Sequence, residues 1–239
     1  MKLLKEIIDD ILSIVYPNHC ISCGEVLNAG KDKWLCNNCR CDFEITEHKR
    51  CKTCGRIIYH DGKCRICNSE RIYFDKGYSV LVYKDSVRNG IMNFKYKGLY
   101  RYGKYFGNIM VNYAVQNINM SFDYVTAVPL HSKRFKDRGY NQSKILAKAV
   151  AESMNIKYMD LLIRNKNTKA QNSLNRKERK ENIRDAFSLR KGMSVENKNI
   201  LIIDDIYTTG ATINECSRVL KKNKAAVVEF FSLSCRSED

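Results

Sequence analysis

Two adjacent carboxylates followed by a threonine- and glycine-rich turn are the residues whose types and spacing point most directly to chemistry. Asp204 and Asp205 follow the apolar run 199–203, and the turn follows them: Thr208, Thr209, Gly210, Ala211 and Thr212. At a helix N-terminus, the backbone N–H groups and hydroxyls of such a turn hold a phosphate, which the Gly210 backbone can approach closely. Carboxylates accept hydrogen bonds from sugar hydroxyls and help to bind Mg²⁺. A phosphate beside a vicinal diol predicts a ribose 5-phosphate ligand.

A purely structural role is the alternative for the same residues. Thr212 would then cap the following helix, and the aspartates would end a strand in solvent. This alternative explains neither the doubled aspartate nor the Thr-Thr-Gly sequence, so we favour the phosphate site.

The cysteines predict a second kind of site. Eight of the eleven form four Cys-x-x-Cys pairs: Cys20/Cys23, Cys36/Cys39, Cys51/Cys54 and Cys64/Cys67. This spacing predicts two consecutive tetrahedral Cys₄ zinc sites, which are structural because they leave no open coordination position. Disulfides are the alternative outside a reducing compartment. Zinc pairing across the two halves, and His19 or Cys41 as substitute ligands, also stay open at this point.

An alternation of strands and helices must position these residues. The predicted strands are 78–83, 123–128, 199–203 and 225–233, and the predicted helices are 86–97, 104–118, 141–154 and 212–222. Such alternation predicts the α/β class, a mainly parallel sheet flanked by helices. Ligands of these sheets bind at the carboxyl ends of the strands, which is where Asp204 and Asp205 lie.

Charge and hydropathy divide the chain into three predicted parts. Residues 1–17 predict an amphipathic helix, residues 18–70 a double zinc ribbon, and residues 71–239 the α/β domain. Of the net charge of +16, nearly all belongs to the last part, with 31 Lys and Arg against 16 Asp and Glu. This balance favours an anionic ligand, and a lysine-rich solvated surface is the alternative.

The N-terminal segment does not have the pattern of a targeting signal. Acidic residues at positions 6, 9 and 10 interrupt its apolar pattern, so we expect neither a signal peptide nor a membrane span. We therefore expect a cytoplasmic protein with reduced cysteines. The helix would pack on its own protein, and a partner or membrane surface is the alternative.

The carboxylate and threonine motif resembles the binding motif for phosphoribosyl pyrophosphate (PRPP) in type I phosphoribosyltransferases. The resemblance implies that Asp204 and Asp205 bind the ribose hydroxyls, with Mg²⁺, and that residues 208–212 wrap the 5′-phosphate. It implies that the basic loop at 129–139 holds the pyrophosphate through Lys133, Arg134 and Arg138. It also implies that residues 164–184, rich in Lys and Arg, form a loop that closes over PRPP. A solvated charged helix is the alternative for that segment.

The chain as a whole resembles the competence protein F (ComF) family, in which a zinc module precedes a phosphoribosyltransferase-like domain. The matching segments are Tyr16-Pro17, Phe94-Lys95-Tyr96-Lys97-Gly98, Val128-Pro129-Leu130, Arg138-Gly139-Tyr140-Asn141-Gln142, Gln171 with Leu174, Arg179, Asn182 and Ala186-Phe187. The resemblance implies a role in natural transformation, which brings single-stranded DNA into the cytoplasm. It implies PRPP, single-stranded DNA and other DNA-uptake proteins as partners.

Catalysis and binding are the two functions to distinguish. In 6-oxopurine salvage enzymes an acid occupies the position of Thr208, and threonine cannot act as that general base. An active phosphoribosyltransferase of nucleotide metabolism, with an unidentified acceptor, is the alternative to a binding module. Residues 88–104 favour the binding module because cations and aromatics alternate there, as suits single-stranded nucleic acid. The candidate nucleic-acid-binding residues are Lys95, Tyr96, Lys97 and Tyr100.

Overall fold

Seven strands are present in the part of the chain that the structure, a computed structural model, describes: residues 17–27, 33–45, 48–97, 100–118, 121–166 and 176–238. They are β1 Lys76–Val82, β2 Tyr124–Ala127, β3 Lys157–Tyr158, β4 Leu162–Arg164, β5 Phe187–Leu189, β6 Asn199–Tyr207 and β7 Val227–Cys235. The main sheet is parallel, in the order β1-β7-β6-β2-β3, and β4 pairs antiparallel with β5. The predicted α/β class with a mainly parallel sheet is confirmed.

The described residues contain eight α-helices. They are α1 Asn37–Arg40, α2 Arg65–Ser69, α3 Asp85–Tyr96, α4 Tyr102–Asn117, α5 Ser132–Arg138, α6 Gln142–Ser153, α7 Arg176–Ile183 and α8 Ala211–Lys222. Within the described ranges, no helix is both long and apolar enough to cross a membrane. The predicted helix at 1–17 lies outside the described residues except for Pro17, and so do residues 167–175 of the predicted closing loop.

At residues 176–183 the structure has a helix, the alternative given for that part of the predicted closing loop. Two other local predictions were wrong. The segment 129–139, predicted as a loop, contains α5, which ends where Gly139 adopts a left-handed conformation with φ 77°. The strand predicted at 199–203 continues to Tyr207, because β7 pairs with it in register as far as Tyr207↔Cys235.

The order of the strands creates a crevice. From β2 the chain proceeds outward to β3, whereas from β6 it proceeds outward in the other direction to β7. The connections therefore diverge between β6 and β2, which are hydrogen-bonded neighbours. Such a switch point opens a crevice at the carboxyl ends of the two strands. Asp204 and Asp205 lie at this crevice.

The two cysteine-rich segments pack against different faces of the sheet. We call residues 18–45 the first ribbon and residues 48–69 the second ribbon. Alternate residues of a strand face opposite sides: Leu201 of β6 lies in a core shared with α3, α4 and α6, and Ile202 in a core shared with α8. Ile21 of the first ribbon belongs to the former core and Ile57 of the second ribbon to the latter. The ribbons therefore contribute to both cores.

Candidate functional site

The two carboxylates lie within β6 rather than after it. Asp204 is aligned with Ser232 of β7, so the backbone at the carboxylates is still part of the sheet. As a consequence, both aspartates are buried, with exposed fractions of 9% for Asp204 and 7% for Asp205. Buried charges need compensating partners.

Asp204 is held by two donors. Its Oδ1 accepts a hydrogen bond from Ser143 Oγ at 2.9 Å and another from the backbone N–H of Asp205 at 2.9 Å. Burial, and then the negative charge of Asp205, raise the pKa of Asp204 to about 7, although Lys95 acts in the opposite direction. Asp204 therefore changes charge near neutral pH in the free protein.

Asp205 is neutralised by Lys95, which comes from the last turn of α3. The Lys95 Nζ lies 2.9 Å from both Asp205 Oδ1 and Oδ2, and the Lys95 side chain is only 13% exposed. From the sequence, Lys95 was predicted to lie on a nucleic-acid-binding surface. The structure places it in the crevice, as the counterion of a predicted PRPP-binding residue.

The turn after β6 has the geometry of an anion-binding helix N-terminus. Gly210 has φ 81° and is the N-cap of α8, so Thr212 lies in the first turn of the helix and does not cap it. A Cβ added to Gly210 would lie 2.6 Å from Tyr207 Oη, so only glycine fits there. The Ala211 N–H donates to Thr209 Oγ1 at 3.5 Å.

Three arginines from α5 and β4 line the crevice together with the carboxylates. Arg134 and Arg138 come from α5, and Arg164 ends β4. Burial and then the nearby charge of Arg134 lower the pKa of Arg164 to about 10, and burial and then Arg138 lower the pKa of Arg134. A concentration of like charge of this kind attracts anions. Lys133, predicted for the same role, is exposed and does not line the crevice.

These groups enclose a cavity of about 140 Å³. Its lining residues include Lys95, Arg134, Arg138, Ser143, Arg164, Asp204, Asp205, Thr208, Thr209, Gly210, Ala211, Thr212 and Arg236. Every residue predicted for the PRPP motif thus lies in one cavity. Local spacing did not indicate Ser143 or Arg236, because they reach the cavity only through the packing of distant elements.

An exposed aromatic surface lies next to the cavity. Tyr96 and Tyr100 are 59% and 62% exposed. Arg138, which lines the cavity, lies over the Tyr96 ring at 4.7 Å and donates to Tyr96 Oη at 2.8 Å. Tyr100 contacts Tyr140 edge to face at 5.6 Å. Of the predicted nucleic-acid-binding residues, Tyr96, Lys97 and Tyr100 are therefore exposed, and Arg138 connects this surface to the cavity.

The eight paired cysteines form two groups, each contained in one ribbon. Within each group the sulfur atoms all lie within 4.8 Å of one another: Cys20, Cys23, Cys36 and Cys39, then Cys51, Cys54, Cys64 and Cys67. A tetrahedral site with Zn–S bonds of about 2.3 Å requires sulfur separations of about 3.8 Å. Cys23 to Cys36 and Cys54 to Cys64 each measure 3.7 Å between sulfurs. The residues fit two Cys₄ zinc sites paired consecutively.

The neighbouring candidate ligands lie outside both groups. His19 interacts through its Nδ1 with the Gly24 carbonyl at 3.0 Å, and Cys41 is exposed. Cys216 and Cys235 are fully buried in the core that contains α8. The predicted consecutive pairing of the cysteines, without His19 or Cys41, agrees with this arrangement.

Family comparisons assign both parts of this arrangement. Residues 11–68 match the family model described as "Double zinc ribbon domain". Residues 141–238 match the model described as "Phosphoribosyl transferase domain". The fold and the two cysteine groups define a phosphoribosyltransferase-like domain joined to a double zinc ribbon.

Relatives of similar length indicate which family within this class the chain resembles. The chain is 27% identical to competence protein ComFC of Streptococcus pneumoniae, over 90% of this chain and 98% of that protein. It is 26% identical to competence protein F of Haemophilus influenzae, over 90% and 96% of the two chains. DNA utilization protein YhgH of Escherichia coli K12 is 33% identical over 48% of this chain and 50% of its own. The resemblance to the competence protein F family is confirmed.

Zinc content should follow the two cysteine groups. We expect two zinc ions per chain in reduced protein, one in Cys36→Ser and one in Cys64→Ser, because each substitution removes one ligand from one group. Cys41→Ser is the matched control and should keep both ions, since Cys41 lies outside the groups. Elemental analysis measures the content. A single zinc in fully loaded wild type, or its loss in Cys41→Ser, would contradict the two-site arrangement.

Proposed function

We propose that this chain binds PRPP with Mg²⁺ in the cavity at the ends of β2 and β6. The observation that carries the proposal is the buried pair Asp204 and Asp205 beside the left-handed Gly210 turn at the N-terminus of α8. That combination offers acceptors for a diol and a divalent cation next to donors for a phosphate.

Each part of PRPP has a complementary group in the cavity. The N–H groups and hydroxyls of residues 208–212 would bind the 5′-phosphate. Asp204 and Asp205 would accept hydrogen bonds from the ribose hydroxyls and contribute to Mg²⁺ binding. Arg134, Arg138 and Arg164 supply positive charge for the pyrophosphate. Of these arginines, Arg164 belongs to the segment that the sequence predicted as a closing loop.

Neutralising both carboxylates should abolish Mg²⁺-dependent binding. In Asp204→Asn with Asp205→Asn, each lost charged hydrogen bond should cost roughly 1.5–3 kcal/mol, about tenfold to a hundredfold in affinity. Isothermal titration with PRPP, with and without Mg²⁺, measures the loss. Asp123→Asn is the control, because Asp123 lies at the amino end of β2. Equal affinity in the double variant and in Asp123→Asn would refute the assignment.

The affinity for PRPP should depend on the ionisation of Asp204. The pKa of Asp204 is raised to about 7 in the free protein, and hydroxyl donors and Mg²⁺ favour its ionised form. Binding therefore releases a proton below that pH, and affinity should fall as pH falls, by up to about tenfold per pH unit. In Asp204→Asn the pH dependence that comes from Asp204 is absent. Only the pH dependence from the ligand phosphate, whose pKa is about 6, remains. Titrations from pH 6 to 8 that give the two proteins equal slopes would contradict this role.

The binding module, rather than the enzyme, is the function we propose for the chain. Among the described residues lining the cavity, Asp204 and Asp205 are the only carboxylates, and both serve the ribose in our assignment. Thr208 occupies the position where an acid would assist transfer to a purine. An active phosphoribosyltransferase stays the alternative, and product formation from PRPP with any nucleobase would establish it.

We further propose that the chain acts in DNA uptake by handling single-stranded DNA in the cytoplasm. The relatives named as competence proteins and as a DNA utilization protein support this role, as does the exposed surface of Tyr96, Lys97 and Tyr100. Exposed aromatics beside cations stack bases and bind backbone phosphates. Other DNA-uptake proteins stay predicted partners.

Charge and stacking variants should alter DNA binding differently. Tyr96→Ala and Tyr100→Ala should each weaken binding by roughly 1–3 kcal/mol per stacked base, with an unchanged salt slope. Lys97→Gln should reduce the slope of log K against log salt by about 0.7, because one phosphate contact is lost. Tyr59→Ala is the matched control, since Tyr59 is 77% exposed on the second ribbon. Fluorescence anisotropy showing that Tyr96→Ala and Tyr59→Ala behave alike would remove this surface from the proposal.

A further inference from the structure

Arg56 of the second ribbon connects a zinc site to the phosphate-binding turn. Its guanidinium donates to the Thr208 carbonyl and, at 3.0 Å, to the Arg236 carbonyl. The same group lies over the Tyr207 ring, 5.2 Å from its centroid. Arg56 is only 5% exposed. An arginine from the cysteine-rich segment is therefore buried against the backbone of the turn that we assign to the 5′-phosphate.

The zinc-binding fold does not itself require an arginine at this position. The two ribbons repeat the same knuckle: Cys20 N–H donates to the Glu25 carbonyl and Cys51 N–H to the Arg56 carbonyl, both at 2.8 Å. Gly24 directly precedes Glu25, Gly55 directly precedes Arg56, and both glycines have positive φ. The first ribbon thus carries Glu25 where the second carries Arg56, so the arginine serves a contact outside the knuckle.

The turn is held from the same side by Tyr207. The Tyr207 ring stacks on Phe230 with centroids 4.6 Å apart, and it leaves room only for glycine at position 210. Arg56 lies on this ring and binds the next carbonyl along the chain, that of Thr208. Arg56 and Tyr207 together fix the backbone from which the phosphate-binding N–H groups project.

Arg56 lies directly beside the second cysteine group, because it follows Cys54 by two residues and its carbonyl accepts a hydrogen bond from the Cys51 N–H at 2.8 Å. Four thiolates around Zn²⁺ leave a net charge of about −2. A buried guanidinium needs such a counterion.

We propose that Arg56 is a positioning residue for the phosphate-binding turn and that the second zinc site is its buried counterion. Zinc in the second ribbon then sets the affinity of the cavity for a phosphorylated ribose. This inference rests on the proposed PRPP site and extends it, because the ribbon becomes part of ligand binding.

Two variants of Arg56 test the positioning role. Arg56→Met should retain two zinc ions, bind Mg²⁺-PRPP at least about tenfold more weakly, and exchange the amide hydrogens of residues 204–212 faster, because two carbonyls lose a charged donor. Arg56→Lys keeps the charge but cannot donate to both carbonyls in the same geometry, so it should lie between wild type and Arg56→Met. It also serves if Arg56→Met does not fold.

A second arginine of the same ribbon is the control. Arg50 donates to the carbonyls of Gly55, Ser79 and Val80 and does not contact the turn. Arg50→Met should lower the free energy of unfolding. It should leave unchanged both the affinity for Mg²⁺-PRPP and the amide exchange of residues 204–212. Equal exchange and equal affinity in the Arg50 and Arg56 variants would overturn the proposal.

The counterion role has its own test. Cys67→His keeps four zinc ligands but reduces the charge of the site to about −1. It should retain both zinc ions and accelerate exchange at residues 204–212, and unchanged exchange with both ions bound would overturn the counterion role. If wild-type protein does not bind PRPP at all, the proposed function fails. Amide exchange in the ligand-free, zinc-loaded proteins then still decides the role of Arg56.

Discussion

The burial of opposite charges at the ends of β2 and β6 is the interaction on which the rest of the structure depends. A strand covered on both faces contains two adjacent carboxylates, and burying them without partners would be costly. Lys95 of α3 and Ser143 of α6 are these partners, and the arginines of α5 and β4 add positive charge to the lining of the cavity. Each partner comes from a different element, so the fold must bring all of them to one edge of the sheet.

The zinc ribbons support this edge from both faces. In the first ribbon, the carbonyls of Ile21 and Ser22 accept hydrogen bonds from Asn93, which lies two residues before Lys95 in α3. In the second ribbon, Arg56 binds the turn after β6. Small metal-bound segments gain their folding energy from the metal. Two metal-dependent segments thus form hydrogen bonds with elements on the two sides of one cavity.

The sequence predicted those parts of the site that are contiguous in the chain. The turn at 208–212 and the cysteine pairs carry their chemistry in local spacing, and the hydrophobic periods located the main strands. The pairing of Lys95 with Asp205 joins residues 110 positions apart, and local spacing does not encode it. Arg164 reaches the cavity because β4 pairs with β5 across residues 165–186, an association that depends on tertiary packing. Helix α5 was missed because its charged residues show no apolar period.

The most direct test of the account is a competition titration of wild-type protein. Ribose 5-phosphate would occupy the Asp204, Asp205 and Gly210 side of the cavity, and Mg²⁺-pyrophosphate would occupy the arginine side. The account predicts that saturating either fragment lowers the apparent affinity for Mg²⁺-PRPP, and that both fragments bind together. If the titration shows that neither fragment competes with PRPP, the account of this cavity as a PRPP site is contradicted.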